Sequence, residues 1–200
     1  MKTIIENALN NSMSYKEYRE YMSALLKQGM STGDTQSEAL LHYSTLNETR
    51  MNRLDKTIEV PAGIKLGLEH LQKEYVMLVI SEGWCGDAAQ IVPVIHKMAD
   101  ISKNIELRIA LRDANPALMD EFLTNGARSI PKLVLIDKEA GRVSGSWGPR
   151  PHDAAELIRL DKEKHGHVTD EAKTELQKWY LHDKGVSTMQ EIALLLETAD

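Results

Sequence analysis

Apolar residues recur at intervals of three and four positions in the first part of the chain, which predicts helices there. One such stripe includes Tyr15 and Tyr18, and a second helix is predicted over 37–54. The inner face of the second helix would carry Leu40, Leu41, Tyr43 or Ser44, and Met51. Pro61 and Gly63 then interrupt the helical pattern, so we expect an internal boundary just before them.

Beyond that boundary, short uninterrupted apolar runs alternate with amphipathic stretches. The runs 76–81, 105–111 and 132–137 predict strands inside a sheet, and 141–147 predicts a fourth. Amphipathic segments lie between and after them, one of them a helix predicted over 116–126. This order indicates an α/β fold with about four to five strands covered by helices on both faces. The predicted organisation is an N-terminal helical extension over 1–57, a central domain over 58–166 and a C-terminal helical extension over 167–200.

Both extensions carry apolar stripes. The N-terminal stripe is rich in tyrosine, and the C-terminal stripe consists of Met189, Ile192, Leu195 and Leu196. We expect both stripes to pack on the central domain. The alternative is a surface for a homodimer or another partner.

Composition narrows the function classes. The chain has 200 residues, 42% of them hydrophobic, with a net charge of −6 and no basic run, so we expect no nucleic-acid partner. The apolar patch at the amino terminus is broken by Glu6 and Asn7, which fits neither a signal peptide nor a membrane anchor. A cytoplasmic protein without membrane contact is therefore expected. The seven histidines form no metal-ligand pattern and no cofactor motif is present, so neither a metal nor a cofactor is predicted.

The single cysteine of the chain, Cys85, lies in the segment SEGWCGDAAQIVP at the predicted start of a helix. Unpaired backbone N–H groups and the helix dipole at such a position favour the thiolate over the thiol. Cys85 is therefore a candidate nucleophile. The alternative is a buried inert thiol, because free cysteine is often a small core residue.

Four motifs in order resemble the thioredoxin superfamily. They are Trp84-Cys85-Gly86 with Pro93 eight residues after the cysteine, Asp113-Ala114-Asn115-Pro116, Ile130-Pro131, and Gly148 after the last predicted strand. The chain looks similar to a bacterial branch with a Trp-Cys-Gly-Asp-Ala motif, here Trp84 to Ala88, and helical extensions. The resemblance implies a thioredoxin-like fold with a cis peptide bond before Pro131, although an X-Pro bond before a strand can also be trans. It also implies a substrate groove walled by Trp84, Ile130, Pro131, Trp147 and Gly148.

The departures from the superfamily pattern concern the dithiol cycle. Ala88 occupies the position of the second cysteine, and Val79 and Ile109 occupy those of the buried acid and its lysine partner. The first hypothesis is a monothiol thiol–disulfide oxidoreductase, in which Cys85 attacks a protein or low-molecular-weight disulfide and an external thiol resolves the product. The second is a non-catalytic peptide-binding or protein-binding module that has lost dithiol chemistry.

Two charged residues near the motif are open to two interpretations each. Asp87 is either a first-turn residue that stabilises the helix or a group that acts on the leaving thiol or on substrate polarity. Arg150 lies between two prolines beside the expected groove. It either contacts a substrate carboxylate or supports the thiolate, or it is an arginine paired with a nearby acid.

Overall fold

The computed structural model describes residues 1–199. The helices are α1 Lys2–Asn10, α2 Tyr15–Lys27, α3 Glu38–Thr57, α4 Ala62–Glu69, α5 Gly86–Ala99, α6 Pro116–Glu121, α7 His152–His165, α8 Asp170–Asp183 and α9 Val186–Ala199. The strands are β1 Tyr75–Ser81, β2 Ile105–Leu111, β3 Lys132–Asp137 and β4 Arg142–Trp147.

The four strands form one sheet in the order β2-β1-β3-β4. Strand β1 pairs in parallel with β2 and antiparallel with β3, and β4 is antiparallel to β3. Every residue of β1 and of β3 is buried, as expected of central strands covered by helices on both faces. The predicted α/β fold is therefore confirmed, with four strands.

Helix α5 occupies the central position beside the sheet. It packs on β1 and β2, and both α3 and α9 pack against it from outside. Because α5 follows β1 directly, the residues that join them lie at the carboxyl end of the central strand. This junction contains Cys85.

The helices at both ends of the chain pack against the central sheet and α5. Tyr15, Tyr18 and Met22 of α2 are buried, and so are Met189 and Ile192 of α9. The N-terminal extension also pairs with the sheet, because Met13 and Ile109 exchange backbone hydrogen bonds of 2.8 and 2.7 Å. None of the helices within residues 1–199 is both long enough and apolar enough to cross a membrane.

Two details differ from the sequence-based predictions. The helix predicted over 116–126 ends at Glu121, and Thr124 and Ala127 instead form an isolated bridge. Of the two alternatives predicted for the inner face of α3, Ser44 is buried and Tyr43 is exposed, and Asn47, which was not predicted there, is buried as well. The reason is that Asn47 has a specific backbone partner in the core, which a hydrophobic pattern cannot reveal.

Candidate functional site

Cys85 is the residue that caps the amino terminus of α5. Its Sγ accepts a hydrogen bond from the backbone N–H of Ala88 at 3.5 Å and donates one to the carbonyl of Ile130 at 3.3 Å. The sulfur is therefore held between the helix start and the segment that leads into β3. The predicted neighbours Ala88 and Ile130 are both brought to the thiol.

The segment opposite Cys85 has the backbone geometry that the resemblance implied. The Ile130–Pro131 peptide bond is cis, and so is Gly148–Pro149. Gly148 has a φ of +110°, and a Cβ added to it would lie 2.4 Å from the carbonyl oxygen of Pro131. Only glycine allows this close approach. The structure thus places Gly148 directly against Pro131.

The expectation that Cys85 favours the thiolate is not met. Only 9% of Cys85 is exposed, and this burial raises the pKa of its thiol to about 12. The negative charge of Asp87 contributes to this increase, while the backbone N–H groups of Ala88 and Asp87 and the charge of Arg150 oppose it. Desolvation and a neighbouring carboxylate outweigh the helix terminus here. In the described conformation Cys85 is a shielded, neutral thiol.

Asp87 joins two distant parts of the chain. Its Oδ2 accepts a hydrogen bond from Nη2 of Arg150 at 2.6 Å, and its Oδ1 accepts one from the hydroxyl of Tyr180 in α8 at 2.8 Å. Arg150 therefore pairs with a nearby acid, and that acid is the aspartate of the motif. The Nε of Arg150 is buried and has no hydrogen-bond partner. The pKa of Tyr180 is raised well above its ordinary value, first by burial and then by the charge of Asp87.

The two tryptophans that were expected to wall the substrate groove have different surroundings. Trp84 is partly exposed, and the guanidinium of Arg112 lies 4.6 Å from its ring centroid. Trp147 donates a hydrogen bond of 2.6 Å from its indole nitrogen to Glu191 of α9. The same carboxylate accepts the backbone N–H of His152 at 2.7 Å. The indole of Trp147 is thus oriented by α9.

The N-terminal extension holds the loop that precedes Cys85. The backbone N–H of Gly83 donates to the hydroxyl of Thr32 at 2.8 Å, and the carbonyl of Gly83 accepts from the amide of Asn47 at 2.9 Å. Asn47 in turn accepts a hydrogen bond from Nη1 of Arg50 at 2.9 Å. Both backbone polar groups of Gly83 are therefore hydrogen-bonded to side chains of the N-terminal extension, which fixes the position of the loop.

Gly86, the first residue of α5, lies beneath side chains from two other helices. A Cβ added to Gly86 would lie 3.6 Å from Nη1 of Arg50 in α3 and 4.0 Å from Nε2 of Gln177 in α8. Gln177 also accepts a hydrogen bond of 2.9 Å from Gln90. Both extensions thus contribute polar side chains close to Gly86, the residue that follows the thiol.

A buried carboxyl group lies three residues before the cysteine. Glu82 has no exposed surface, and its Oε1 accepts the backbone N–H of Asp113 at 3.0 Å. Its Oε2 is buried without a hydrogen-bond partner, and burial raises the pKa of this carboxyl group. The residues expected to differ from the superfamily's proton pair, Val79 and Ile109, are both fully buried.

Sequence reasoning missed five residues of the site, and all of them except Glu82 come from distant segments. They are Asn47, Arg50, Glu82, Gln177 and Tyr180. An acidic residue directly after an apolar strand was a signal for Glu82, because such a position is expected to lie at the end of a buried strand. The other four had no local signal, since their role depends on how the extensions pack.

Comparison with known proteins agrees with the architecture. A family model described as thioredoxin matches residues 33–180. Two solved structures are similar at 17% identity, each with 94% of this chain covered: an HIV epitope scaffold, covered over 100% of its chain with a TM-score of 0.56, and a protein of unknown function from Pseudomonas aeruginosa, covered over 99% with a TM-score of 0.54. No match was found among curated proteins. At this identity the two structures support the fold alone.

Proposed function

The chain belongs to the thioredoxin family, and we propose that it carries out thiol–disulfide exchange through the single thiol of Cys85, with an external thiol completing the cycle. The observation that carries this proposal is the position of Cys85. Its sulfur caps α5 and lies 3.3 Å from the carbonyl oxygen of Ile130, beside the cis peptide bond to Pro131. An extended peptide that paired with this backbone edge would bring a disulfide to the sulfur.

The proposed reaction has two exchanges. In the first, Cys85 loses its thiol proton to solvent and the resulting thiolate attacks one sulfur of a disulfide. A bond forms between these two sulfurs, the disulfide bond breaks, and the other half leaves as a thiolate that takes up a proton. In the second, the thiolate of an external thiol attacks the substrate sulfur of this mixed disulfide. Cys85 is released as a thiolate and the substrate leaves as a disulfide with the external thiol. The external step is needed because Ala88 replaces the cysteine that would otherwise resolve the intermediate.

A second candidate is supported by a different observation. Cys85 is buried, and its pKa is raised to about 12, so that the conformation described here disfavours attack on a disulfide. A binding module that has lost dithiol chemistry would retain the groove and have no use for a reactive thiol. The two candidates therefore differ in whether the folded chain forms a mixed disulfide at Cys85.

The test uses a small symmetric disulfide, hydroxyethyl disulfide, and the intact mass of the folded chain. Exchange predicts a mixed disulfide on Cys85 whose rate of formation increases with pH, followed by its release when a second thiol is added. The Cys85→Ser variant should show no adduct, and the chain unfolded in urea supplies the rate of an unshielded thiol. If the folded chain remains unmodified while the unfolded chain reacts, the exchange function is wrong and the binding module is favoured.

A further inference from the structure

A thiol that exchanges with a disulfide must be reached by it, yet Cys85 is 9% exposed. Polar side chains from distant segments contact the first turns of its helix at Asp87 and Gln90. Tyr180 and Gln177 extend from α8, and Arg150 extends from the segment before α7. Tyr180 and Arg150 both contact Asp87, two residues after Cys85.

Helix α8 reaches α5 through long side chains. Its backbone lies against α7, whereas two hydrogen bonds join it to α5: Tyr180 to Asp87 at 2.8 Å and Gln177 to Gln90 at 2.9 Å. A small displacement of α8 would break both bonds without altering the sheet. Hydrogen bonds of this kind contribute modestly in net terms, because water replaces the lost partner when they open.

From this geometry we infer that α8 is a latch over the thiol, closed by the Tyr180–Asp87 and Gln177–Gln90 hydrogen bonds, which must open before a disulfide can reach Cys85. The inference rests on the proposed function for its purpose, since only a thiol that reacts needs a controlled access route. Access itself, however, is a property of the fold and can be measured without a disulfide.

The closed arrangement leaves one buried hydrogen-bond donor without a partner, which favours a helix that can open over a permanent cover. The Nε of Arg150 is buried and has no acceptor, although the Nη2 of the same guanidinium is bonded to Asp87. A buried donor without a partner disfavours the closed state relative to one in which water reaches it. The left-handed conformations of Gly166 and Lys184, at φ of +77° and +55°, form the short turns at the two ends of α8.

Because Cys85 is the single cysteine, the thiol-labelling rate of the chain reports the accessibility of Cys85 alone. We would measure the rate at which N-ethylmaleimide labels Cys85 in the native full-length chain, across a series of urea concentrations below the unfolding transition. A latch predicts a rate that depends weakly on urea, because a local opening exposes little surface. A rate that rises with the full urea dependence of global unfolding would show that Cys85 becomes accessible only when the chain unfolds, and would overturn the inference.

Tyr180→Phe tests the latch directly, because it removes the hydroxyl alone. Loss of a hydrogen bond to a carboxylate should favour opening and raise the labelling rate in the absence of urea by about tenfold. If Tyr180 acted only through electrostatics, Tyr180→Phe would instead lower the labelling rate. Without the donated proton the charge of Asp87 is less compensated, the thiolate is disfavoured, and labelling slows. An unchanged or lower rate for Tyr180→Phe would therefore refute the latch.

Two further variants complete the design. Gln177→Ala breaks the other bond without touching Asp87, and should also raise the labelling rate several-fold. Tyr21→Phe removes the same hydroxyl from an exposed tyrosine of α2, and should leave the rate unchanged. Failure to form a mixed disulfide with urea-independent labelling would reject the exchange function and keep the latch. The reverse result would reject the latch and keep the exchange function.

Discussion

Replacing Asp87 with alanine removes the acceptor of two hydrogen bonds at once. The hydroxyl of Tyr180 loses its partner at 2.8 Å, and Arg150 loses the carboxylate that it contacts at 2.6 Å. Tyr180 is 5% exposed, so water cannot readily replace the lost acceptor. We therefore expect the free energy of unfolding to fall in this variant.

The magnitude follows from the burial of each partner. An unsatisfied buried hydroxyl costs about 1–3 kcal/mol. Breaking a fully buried ion pair costs about 3–5 kcal/mol, but the side chain of Arg150 is 26% exposed, so solvent reduces its share to about 1–2 kcal/mol. The expected loss for Asp87→Ala is about 3 kcal/mol. For a chain of this length that lowers the melting temperature by roughly 6–12 °C.

Asp87→Asn is the matched comparison. Its side-chain oxygen can still accept the hydroxyl of Tyr180, so only the charge interaction with Arg150 is lost, and the expected loss is about 1–2 kcal/mol. Both variants should lower the pKa of Cys85, because the charge of Asp87 contributes to raising it. The rate of Cys85 alkylation at fixed pH should therefore increase.

The assay is urea unfolding followed by circular dichroism at pH 7, with equal urea dependence required before free energies are compared. The order of stability should be wild type, then Asp87→Asn, then Asp87→Ala. In a double-mutant cycle, Tyr180→Phe should lose much less in the Asp87→Ala background than alone, because its partner is already gone. Surface substitutions usually change the free energy of unfolding by no more than about 0.5 kcal/mol. If the free energy of unfolding of Asp87→Ala lies within that range of the wild type, the contacts of Asp87 with Tyr180 and Arg150 do not stabilise the fold.

Three further predictions concern the backbone and two buried acids. Gly148→Ala should lower the free energy of unfolding by about 3 kcal/mol or more, because the added Cβ meets the carbonyl oxygen of Pro131 at 2.4 Å. The control is Gly141→Ala, where φ is +61° and nothing lies within 4 Å, and it should lose only about 1 kcal/mol. Equal losses in the two variants would contradict the steric reason. The raised pKa of Glu82 means that the folded state binds the carboxyl proton more tightly than the unfolded state does, so the stability that this proton contributes is lost as pH rises from about 4 through the folded pKa. In urea unfolding, the stability of Glu82→Gln relative to the wild type should therefore increase over that pH range. A difference that does not depend on pH would reject the raised pKa of Glu82. The pKa of Cys85 is raised in the same sense, so wild type should lose stability relative to Cys85→Ser above about pH 8.5, and parallel pH profiles would argue against a shielded thiol.

Several features of the fold were predictable from the sequence because they depend on local patterns. Strands β2 and β3 have the predicted bounds, since an apolar run flanked by turns specifies a buried strand. Cys85 begins α5 as expected, because capping depends on residues within one turn. The helix predicted over 116–126 was too long, because its last residues form a bridge that the periodicity does not encode.

The chemistry of the site was decided by the tertiary structure. The sequence by itself determined the α/β architecture, the place of Cys85 at a helix start and the absence of a second cysteine, because these are read from residue order and short-range periodicity. Whether Cys85 ionises depends on groups far away along the chain. Tyr180, 93 residues from Asp87, and Arg150 meet that aspartate only after the helices have packed. Burial and charge act through space, so only the packed chain could show that the thiol is shielded and which charged groups surround it.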